Sequence, residues 1–249
     1  MQDFGKFIYL ELQKTGSTYV SSFLRECSLL DEIEFKKHLP IRATYNKDKF
    51  YFISIRNPLN LYSSLYRYGS SGRGGIYNNI KKANKTSCYE SIESFVEFMI
   101  NPKNAIYIHS TYDRRAAEQM GIMSYRFLRL SLHCPKEKIE TCLENKSNLL
   151  DLENDFITNL EIKNEYLNDE LKAFSSELFP KFFDQNKVNI FLNKFKSKNK
   201  SKVISSPAMD EKLLKLKDKL KSKEMLLFSR YKDWDLTKYQ TKFKLSNFS

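Results

Sequence analysis

Near its start the chain passes from a short apolar run to a polar loop and then to an amphipathic stretch. Residues Phe7–Leu10 are apolar, a turn-forming segment follows at Lys14–Thr18, and the next apolar side chains are Val20, Phe23, Leu24 and Cys27. Their spacing of i, i+3, i+4 and i+7 places them on one face of a helix. This pattern predicts a strand, a tight loop and a helix.

The same order recurs around residue 50. The run FYFISI at Phe50–Ile55 is continuously apolar, which is typical of a strand buried on both faces. Pro58 ends the strand pattern and suits the first turn of a helix, and that helix would carry Leu61, Ser64, Leu65 and Tyr68. Two strand–loop–helix units predict an α/β fold with three layers, in which helices flank a central parallel sheet.

The remaining chain gives weaker signals. Four of the seven glycines fall in Gly69–Gly75, which predicts a flexible loop. Further elements are expected as a helix at Ile92–Ile100, strands at Ala105–Ile108 and Tyr125–Leu130, helices within Lys136–Leu192, and a last helix from about Met209 to Phe228. No internal repeat or Gly/Pro linker divides the chain. We therefore expect one domain over 1–249, with its chemical motifs within 7–70 and a helical C-terminal part at 136–249.

Composition narrows the classes of function. A net charge of +12 and a pI near 9.3 favour anionic partners. No zinc-finger spacing, RNA-recognition signature or basic zipper is present, so no nucleic-acid partner is expected. Four scattered cysteines and three histidines argue against a metal site and fit reduced thiols. The first residues contain no apolar stretch long enough for a signal peptide or a membrane span, so we expect a cytoplasmic protein without stable membrane insertion.

The loop at Lys14–Thr18 has the chemistry of an anion site. Backbone N–H groups and the helix dipole favour negative charge at a helix N-terminus. Lys14 adds a positive charge, Gly16 allows close approach, and Thr15, Ser17 and Thr18 offer hydroxyl groups. The same residues also make ordinary helix caps. The motif G-x-x-x-x-G-K-[ST] is absent, because the lysine here precedes the glycine, which argues against an ordinary ATPase or kinase loop.

Three motifs together resemble the sulfotransferase family. The order Lys-x-Gly-[Ser/Thr]-[Ser/Thr]-aromatic at residues 14–19 resembles the family's 5′-phosphosulfate loop. Arg56-Asn57-Pro58, with Ser64 eight residues after the arginine, is similar to the signature that grips a 3′-phosphate. Arginine suits that task because its planar fork donates two parallel hydrogen bonds. Lys36-Lys37-His38-Leu39-Pro40 looks like the Lys-x-His-Leu-Pro element, in which histidine is the general base.

The resemblance implies a fold like that of the P-loop NTPases and a sulfate donor, 3′-phosphoadenosine 5′-phosphosulfate (PAPS), with adenosine 3′,5′-bisphosphate as product. Lys14 would neutralise the bridging oxygen, and the loop Thr15–Thr18 would hold the 5′-phosphosulfate. Arg56 and Ser64 would fix the 3′-phosphate. His38 would deprotonate the acceptor, and Lys36 would help to balance charge on the transferring group. No metal is needed if lysine and backbone donors supply this stabilisation.

The sequence departs from the family in two places. Gln13 stands where proline is common, and the stretch from Lys14 to Arg56 is much shorter than in the cytosolic animal enzymes. The class of acceptor is therefore not carried over. A glycan hydroxyl is our first expectation because of the basic surface, while an amine, tyrosine, a lipid or a small phenol stays open. Two other functions also stay open: a nucleotide-dependent phosphotransferase, and a non-catalytic basic protein that binds nucleic acid or glycan.

Overall fold

The structure is a computed structural model that describes residues 1–41, 45–196 and 207–232. These residues form two compact units. The first contains the described residues of 1–56, 157–196 and 231–232, and the second contains 57–156 and 207–230. The prediction of a single domain stays a prediction. The parts of the expected helical C-terminal region at 197–206 and 233–249 lie outside the described residues.

A mixed five-stranded sheet forms the centre of the first unit. Its strands are β1 (Gln2–Asp3), β2 (Phe7–Leu10), β3 (Glu34–Phe35), β4 (Phe50–Ile55) and β5 (Leu160–Lys163), in the order β3-β1-β2-β4-β5. Strands β2, β4 and β5 are parallel, whereas β1 pairs antiparallel with both β2 and β3. The α/β class and the strands β2 and β4 are confirmed. The expectation of a sheet that is parallel throughout is wrong at the β1–β3 edge.

A tight turn explains the antiparallel edge. The side chain of Asp3 accepts a hydrogen bond from the N–H of Gly5 at 2.7 Å, and Gly5 has a φ of 79°. The chain thus reverses between β1 and β2 within three residues. A parallel connection would need a crossover of roughly a dozen residues or more, so this short connection permits only antiparallel pairing.

Aromatic side chains fill the core of the first unit. All residues of β2 and β4 are buried. Helices α1 (Ser17–Cys27), α9 (Leu167–Ala173) and α10 (Gln185–Lys196) contribute to the same hydrophobic cluster, in which the rings of Phe52 and Phe174 lie 4.5 Å apart. The predicted apolar face of α1 is confirmed, since its four residues are fully buried. Burial of this apolar area is the main stabilising contribution to this unit.

The second unit is helical in its described residues. Its helices are α2 (Pro58–Ser70), α3 (Gly75–Lys82), α4 (Ile92–Ile100), α5 (Ala105–Ile108), α6 (Arg114–Gln119), α7 (Ile122–Ser131), α8 (Pro135–Glu144), α11 (Pro207–Lys215), α12 (Lys217–Lys223) and α13 (Met225–Lys232), the last of which ends in the first unit. The predictions of α2 and α4 are confirmed. Pro58 occupies the first turn of α2, and the side chain of Asn57 caps it by accepting from Leu59 N at 3.0 Å.

Several secondary-structure predictions are wrong. Residues 105–108 and 125–130 are helical rather than extended. Helix α7 is buried on almost every side, so its sequence loses the amphipathic period and leaves only a short apolar run that also fits a strand. Strand β5 was missed within a region assigned to helices. The expected loop at 69–75 is only a four-residue connector, because α2 continues to Ser70 and α3 begins at Gly75.

The predicted C-terminal helix is divided into α11, α12 and α13, although its leucine face is buried as expected. The last break, at Glu224, is explained by the fully buried side chain of that residue. Its carboxylate accepts hydrogen bonds from Tyr62 Oη at 2.5 Å, Met123 N at 3.1 Å and Ser124 N at 2.6 Å. Glu224 thereby caps the N-terminus of α7 from another part of the chain.

No helix in the described ranges is both long enough and apolar enough to cross a membrane.

We expect Glu224→Ala to lower the free energy of unfolding by about 3 kcal/mol, because it leaves the donors of Tyr62, Met123 and Ser124 buried without an acceptor. Thermal unfolding measures this as a fall in Tm of roughly 10 °C. The matched control is Glu211→Ala, at an exposed position of α11. Equal Tm values for the two variants would contradict this role of Glu224.

Candidate functional site

The loop between β2 and α1 is held in an uncommon backbone conformation. Both Lys14, at a φ of 66°, and Gly16, at a φ of 83°, are left-handed. A non-glycine residue in this region costs about 1 kcal/mol or more. At Gly16 a Cβ would lie 2.5 Å from both Asn164 Nδ2 and Leu167 Cδ1. Only glycine fits at position 16, and Lys14 retains its side chain in spite of the strain.

This loop presents the N-terminus of α1, an 11-residue helix. The first N–H groups of an α-helix have no intrahelical acceptor, and Gly16 has no side chain with which to cap them. Lys14, two residues before Gly16, is half-buried, Ser17 is buried and Thr18 is exposed. Backbone donors and the helix dipole therefore favour an anion at this position, and Lys14 adds a positive charge to the loop that precedes it.

The hydroxyl group of Thr15 is used inside the protein. It donates to Leu12 O at 2.7 Å and lies 2.7 Å from Ser54 Oγ, which in turn lies 2.5 Å from Tyr9 Oη. Since the Thr15 proton goes to the carbonyl, Ser54 donates to Thr15 and Tyr9 donates to Ser54. This directed chain ties the loop to β2 and β4. Any contribution of Thr15 to anion binding is left to its backbone.

Arg56 lies at the end of β4 and bonds to the same loop. Its Nη1 donates to Lys14 O at 3.2 Å. Strands β2 and β4 are parallel neighbours, so their carboxyl ends lie at one edge of the sheet, where ligands bind in open α/β folds. The structure thus brings together Lys14 and Arg56, which lie 42 residues apart in the sequence.

His38 is anchored to the beginning of the loop. Its Nδ1 lies 3.1 Å from Glu11 O, and its backbone N donates to Glu11 Oε2 at 3.4 Å. A carbonyl oxygen only accepts, so Nδ1 carries the proton and Nε2 carries the lone pair of the neutral ring. His38 also has a left-handed φ, of 56°. Glu11 itself is buried and accepts from Ser21 Oγ at 2.9 Å.

Lys36 and Ser64 have surroundings that the motifs did not indicate. The ammonium group of Lys36 forms an ion pair with Glu34, and the backbone N–H of Lys36 donates to Met1 O at 2.8 Å. Ser64 is half-buried on α2 in the second unit, whereas Lys14, Arg56 and His38 belong to the first. The adjacent Ser63 is buried, and its hydroxyl has no hydrogen-bond partner among the described residues.

The segment after β5 also contacts the loop and the first turn of α1. Besides the contact of Asn164 with Gly16, the hydroxyl of Tyr19 donates to Asn168 Oδ1 at 2.5 Å. Sequence reasoning missed these asparagines, because it did not identify β5 as a strand. The position directly after a parallel strand was the signal that could have found Asn164.

Glu170 on α9 is a buried carboxyl group near this segment. Neither of its oxygens forms a well-aligned hydrogen bond with the described residues, although the backbone N–H of Lys163 approaches the group. Burial raises the pKa of this carboxyl to about 8, an effect that the nearby Lys163 opposes. The group is therefore largely protonated at neutral pH.

Among the described residues, no cluster of three or more His, Cys, Asp and Glu side chains could hold a metal ion. No family model, curated protein or solved structure matches the chain. The local geometry of the loop and its partners is therefore the basis for assigning a function.

Glu170 should make stability depend on pH. Its pKa is higher in the folded state than the ordinary value of 4.5, so its stabilising contribution is complete below that value and is lost as pH rises through about 8. Relative to Glu170→Gln, we expect wild-type protein to lose on the order of 4 kcal/mol over this range. Urea unfolding from pH 4 to 9 measures the difference. The exposed Asp169→Asn should keep the wild-type profile, and an identical profile for Glu170→Gln would contradict the assignment.

Proposed function

We propose that the chain is a sulfotransferase that moves a sulfuryl group from PAPS to a hydroxyl or amine acceptor, with a glycan as the first candidate. One observation carries the proposal: two of the three family-like motifs bond to the β2–α1 loop, which contains the first residues of the third motif. His38 bonds to Glu11 O and Arg56 bonds to Lys14 O, so both are fixed to the loop that bears Lys14 and Gly16. Such convergence is expected if the motifs act on one ligand.

The donor-binding roles follow from charge and geometry. The N–H groups of the first turn of α1, with Ser17 and Thr18, suit a 5′-phosphosulfate. Arg56, anchored to the loop at Lys14 O, would bind the 3′-phosphate, and Ser64 is the hydroxyl that the resemblance adds. These roles correspond to a fold like that of the P-loop NTPases, with adenosine 3′,5′-bisphosphate as product.

In the proposed transfer step, residues of this chain take up the acceptor's proton and neutralise the charge on the leaving group. The acceptor gives its proton to His38 Nε2 as its oxygen bonds to sulfur, and the bond from sulfur to the bridging oxygen breaks. The electron pair stays on that oxygen, where Lys14 neutralises the charge. The imidazolium that forms on His38 would lie near the Glu11 carboxylate, which already accepts from the backbone N–H of His38. Lys36 would add positive charge only on leaving Glu34.

A nucleotide-dependent phosphotransferase is less well supported. In the usual P-loop, the hydroxyl of the residue after the lysine binds Mg²⁺. Here that residue is Thr15, whose hydroxyl is committed to Leu12 and Ser54. Adenosine 3′,5′-bisphosphate should therefore raise the Tm more than ATP with Mg²⁺ does.

Lys14→Met removes the ammonium group while keeping a side chain of similar length at a left-handed position. We expect turnover with PAPS to fall about 10²–10³-fold, as for loss of one preorganised transition-state donor. Transfer of labelled sulfate to a panel of glycan, tyrosine, lipid and phenol acceptors measures the rate. The control is Lys6→Met, which removes the same charge from an exposed lysine in the same unit. Wild-type turnover in Lys14→Met would refute the role of the loop.

His38→Gln should lower turnover about 10²–10⁴-fold, the usual contribution of a general base, while leaving the Tm shift by adenosine 3′,5′-bisphosphate unchanged. The same substitution at His133, in the second unit, serves as the control. Loss of nucleotide binding together with turnover would show that His38 supports the loop rather than accepting a proton.

A further inference from the structure

Three adjacent cavities lie in the second unit, around the segment that links α5 to α6. Their volumes are about 420, 300 and 310 Å³, and Ser110 lines all three. The first two also share Ile106, and the first and third share Asp113. We call this series of cavities the Ser110 groove. Each cavity is at least as large as the smaller ligand pockets of proteins, which begin at about 300 Å³.

Basic side chains dominate the lining of the groove. Six cations compare with two carboxylates, those of Asp113 and Glu140, which leaves a surplus of four positive charges. The cations are Lys82, Lys103, Arg114, Arg115, Arg129 and Lys136. They occur in all three cavities, so the positive potential extends along the groove.

Much of this charge is not neutralised locally. Arg114 pairs with Glu118 and Arg115 pairs with Asp113. Within the described ranges, no ion pair is formed by Lys82, Lys103 or Lys136, and Arg129 donates to Thr111 Oγ1 at 2.6 Å rather than to a carboxylate. An anion that binds in the groove would therefore contact these cations without first displacing a carboxylate from them.

A neighbouring histidine is kept neutral mainly by its burial. Burial, with a further contribution from Arg126 and Arg129, lowers the pKa of His109 to about 4. The side chain of His109 contacts Thr111, whose carbonyl accepts from the hydroxyl of Tyr125 at the third cavity. The groove wall is thus held by hydrogen bonds within the protein, and the adjacent arginines disfavour protonation of His109.

We propose that the Ser110 groove binds an extended acidic glycan. Sulfate or carboxylate groups would contact the cations, and sugar hydroxyls would bond to Ser110, Asp113 and Glu140. A nucleic acid fits less well, because single strands stack successive bases on several rings. Tyr112 and Tyr125 are buried with hydroxyls bonded to Met120 O and Thr111 O, so among the described lining residues only Tyr107 offers a partly exposed ring. That this glycan is the sulfate acceptor rests on the proposed function, whereas the binding itself does not.

Fluorescence anisotropy with a labelled hyaluronan decasaccharide tests the groove on the full chain without PAPS. The double variant Lys103→Met with Lys136→Met should bind about tenfold more weakly, since it loses two charge-assisted contacts. The matched control is Lys138→Met with Lys219→Met, which removes the same charge from residues paired with Asp155 and Glu97. The control should stay within about twofold of wild type.

Ser110→Glu is a second, independent variant. Ser110 is exposed and shared by the three cavities, so a carboxylate there should weaken hyaluronan binding at least as much as the double variant does. Equal losses in the test and control pairs would overturn the groove and leave only general charge attraction. Equal binding of a neutral dextran oligosaccharide would also overturn it, and so would tighter binding of single-stranded dT10 that depends on Lys103 and Lys136.

The transfer assay separates the two proposals. Groove-dependent hyaluronan binding without sulfate transfer to any acceptor would overturn the proposed function and leave the groove standing. Sulfate transfer that depends on Lys14, together with equal binding by the two double variants, would overturn the groove alone.

Discussion

The loop from Glu11 to Gly16 follows β2, a strand that is buried on both faces. The carbonyl groups of this loop lie beyond the sheet and need hydrogen-bond donors from elsewhere. Three of these carbonyls receive side-chain donors: Leu12 O from Thr15, Glu11 O from His38 and Lys14 O from Arg56. An unpaired buried carbonyl is costly, so each donor is held where the loop requires it. The need to satisfy one loop therefore also positions the residues to which chemistry is assigned.

Backbone strain also occurs in this loop and in the residues that bond to it. Five non-glycine residues in the described ranges have positive φ, and Lys14 and His38 are two of them. Such conformations persist only where the surroundings determine them, and they are common at functional sites. Strain alone does not identify a reaction. Together with the hydrogen bonds of Glu11 and Lys14, it distinguishes these positions from ordinary loop residues.

Local signals account for what could be predicted from the sequence. The β2–α1 and β4–α2 units follow from an apolar run, a turn or cap, and a helical period, all within about 20 residues. The inward hydroxyl of Thr15 could not be predicted, because it depends on Ser54, 39 residues away. Strand β5 was missed since LEIK is short and its partner β4 lies far away in the sequence. The segments 105–108 and 125–130 were wrongly assigned because tertiary burial, not local preference, decides such short apolar runs.

The left-handed conformation of Lys14 limits how the protein can be engineered for stability. Glycine at a left-handed position relieves strain, and protein engineers use such replacements to raise unfolding temperatures. Lys146 and Cys134 share this conformation and are open to that strategy, since no role in the candidate site is assigned to them. At Lys14 the same replacement would relax the backbone and delete the charge at the N-terminus of α1. A thermostability screen without an assay of the proposed activity would therefore select for loss of the charge on which the proposed anion site depends.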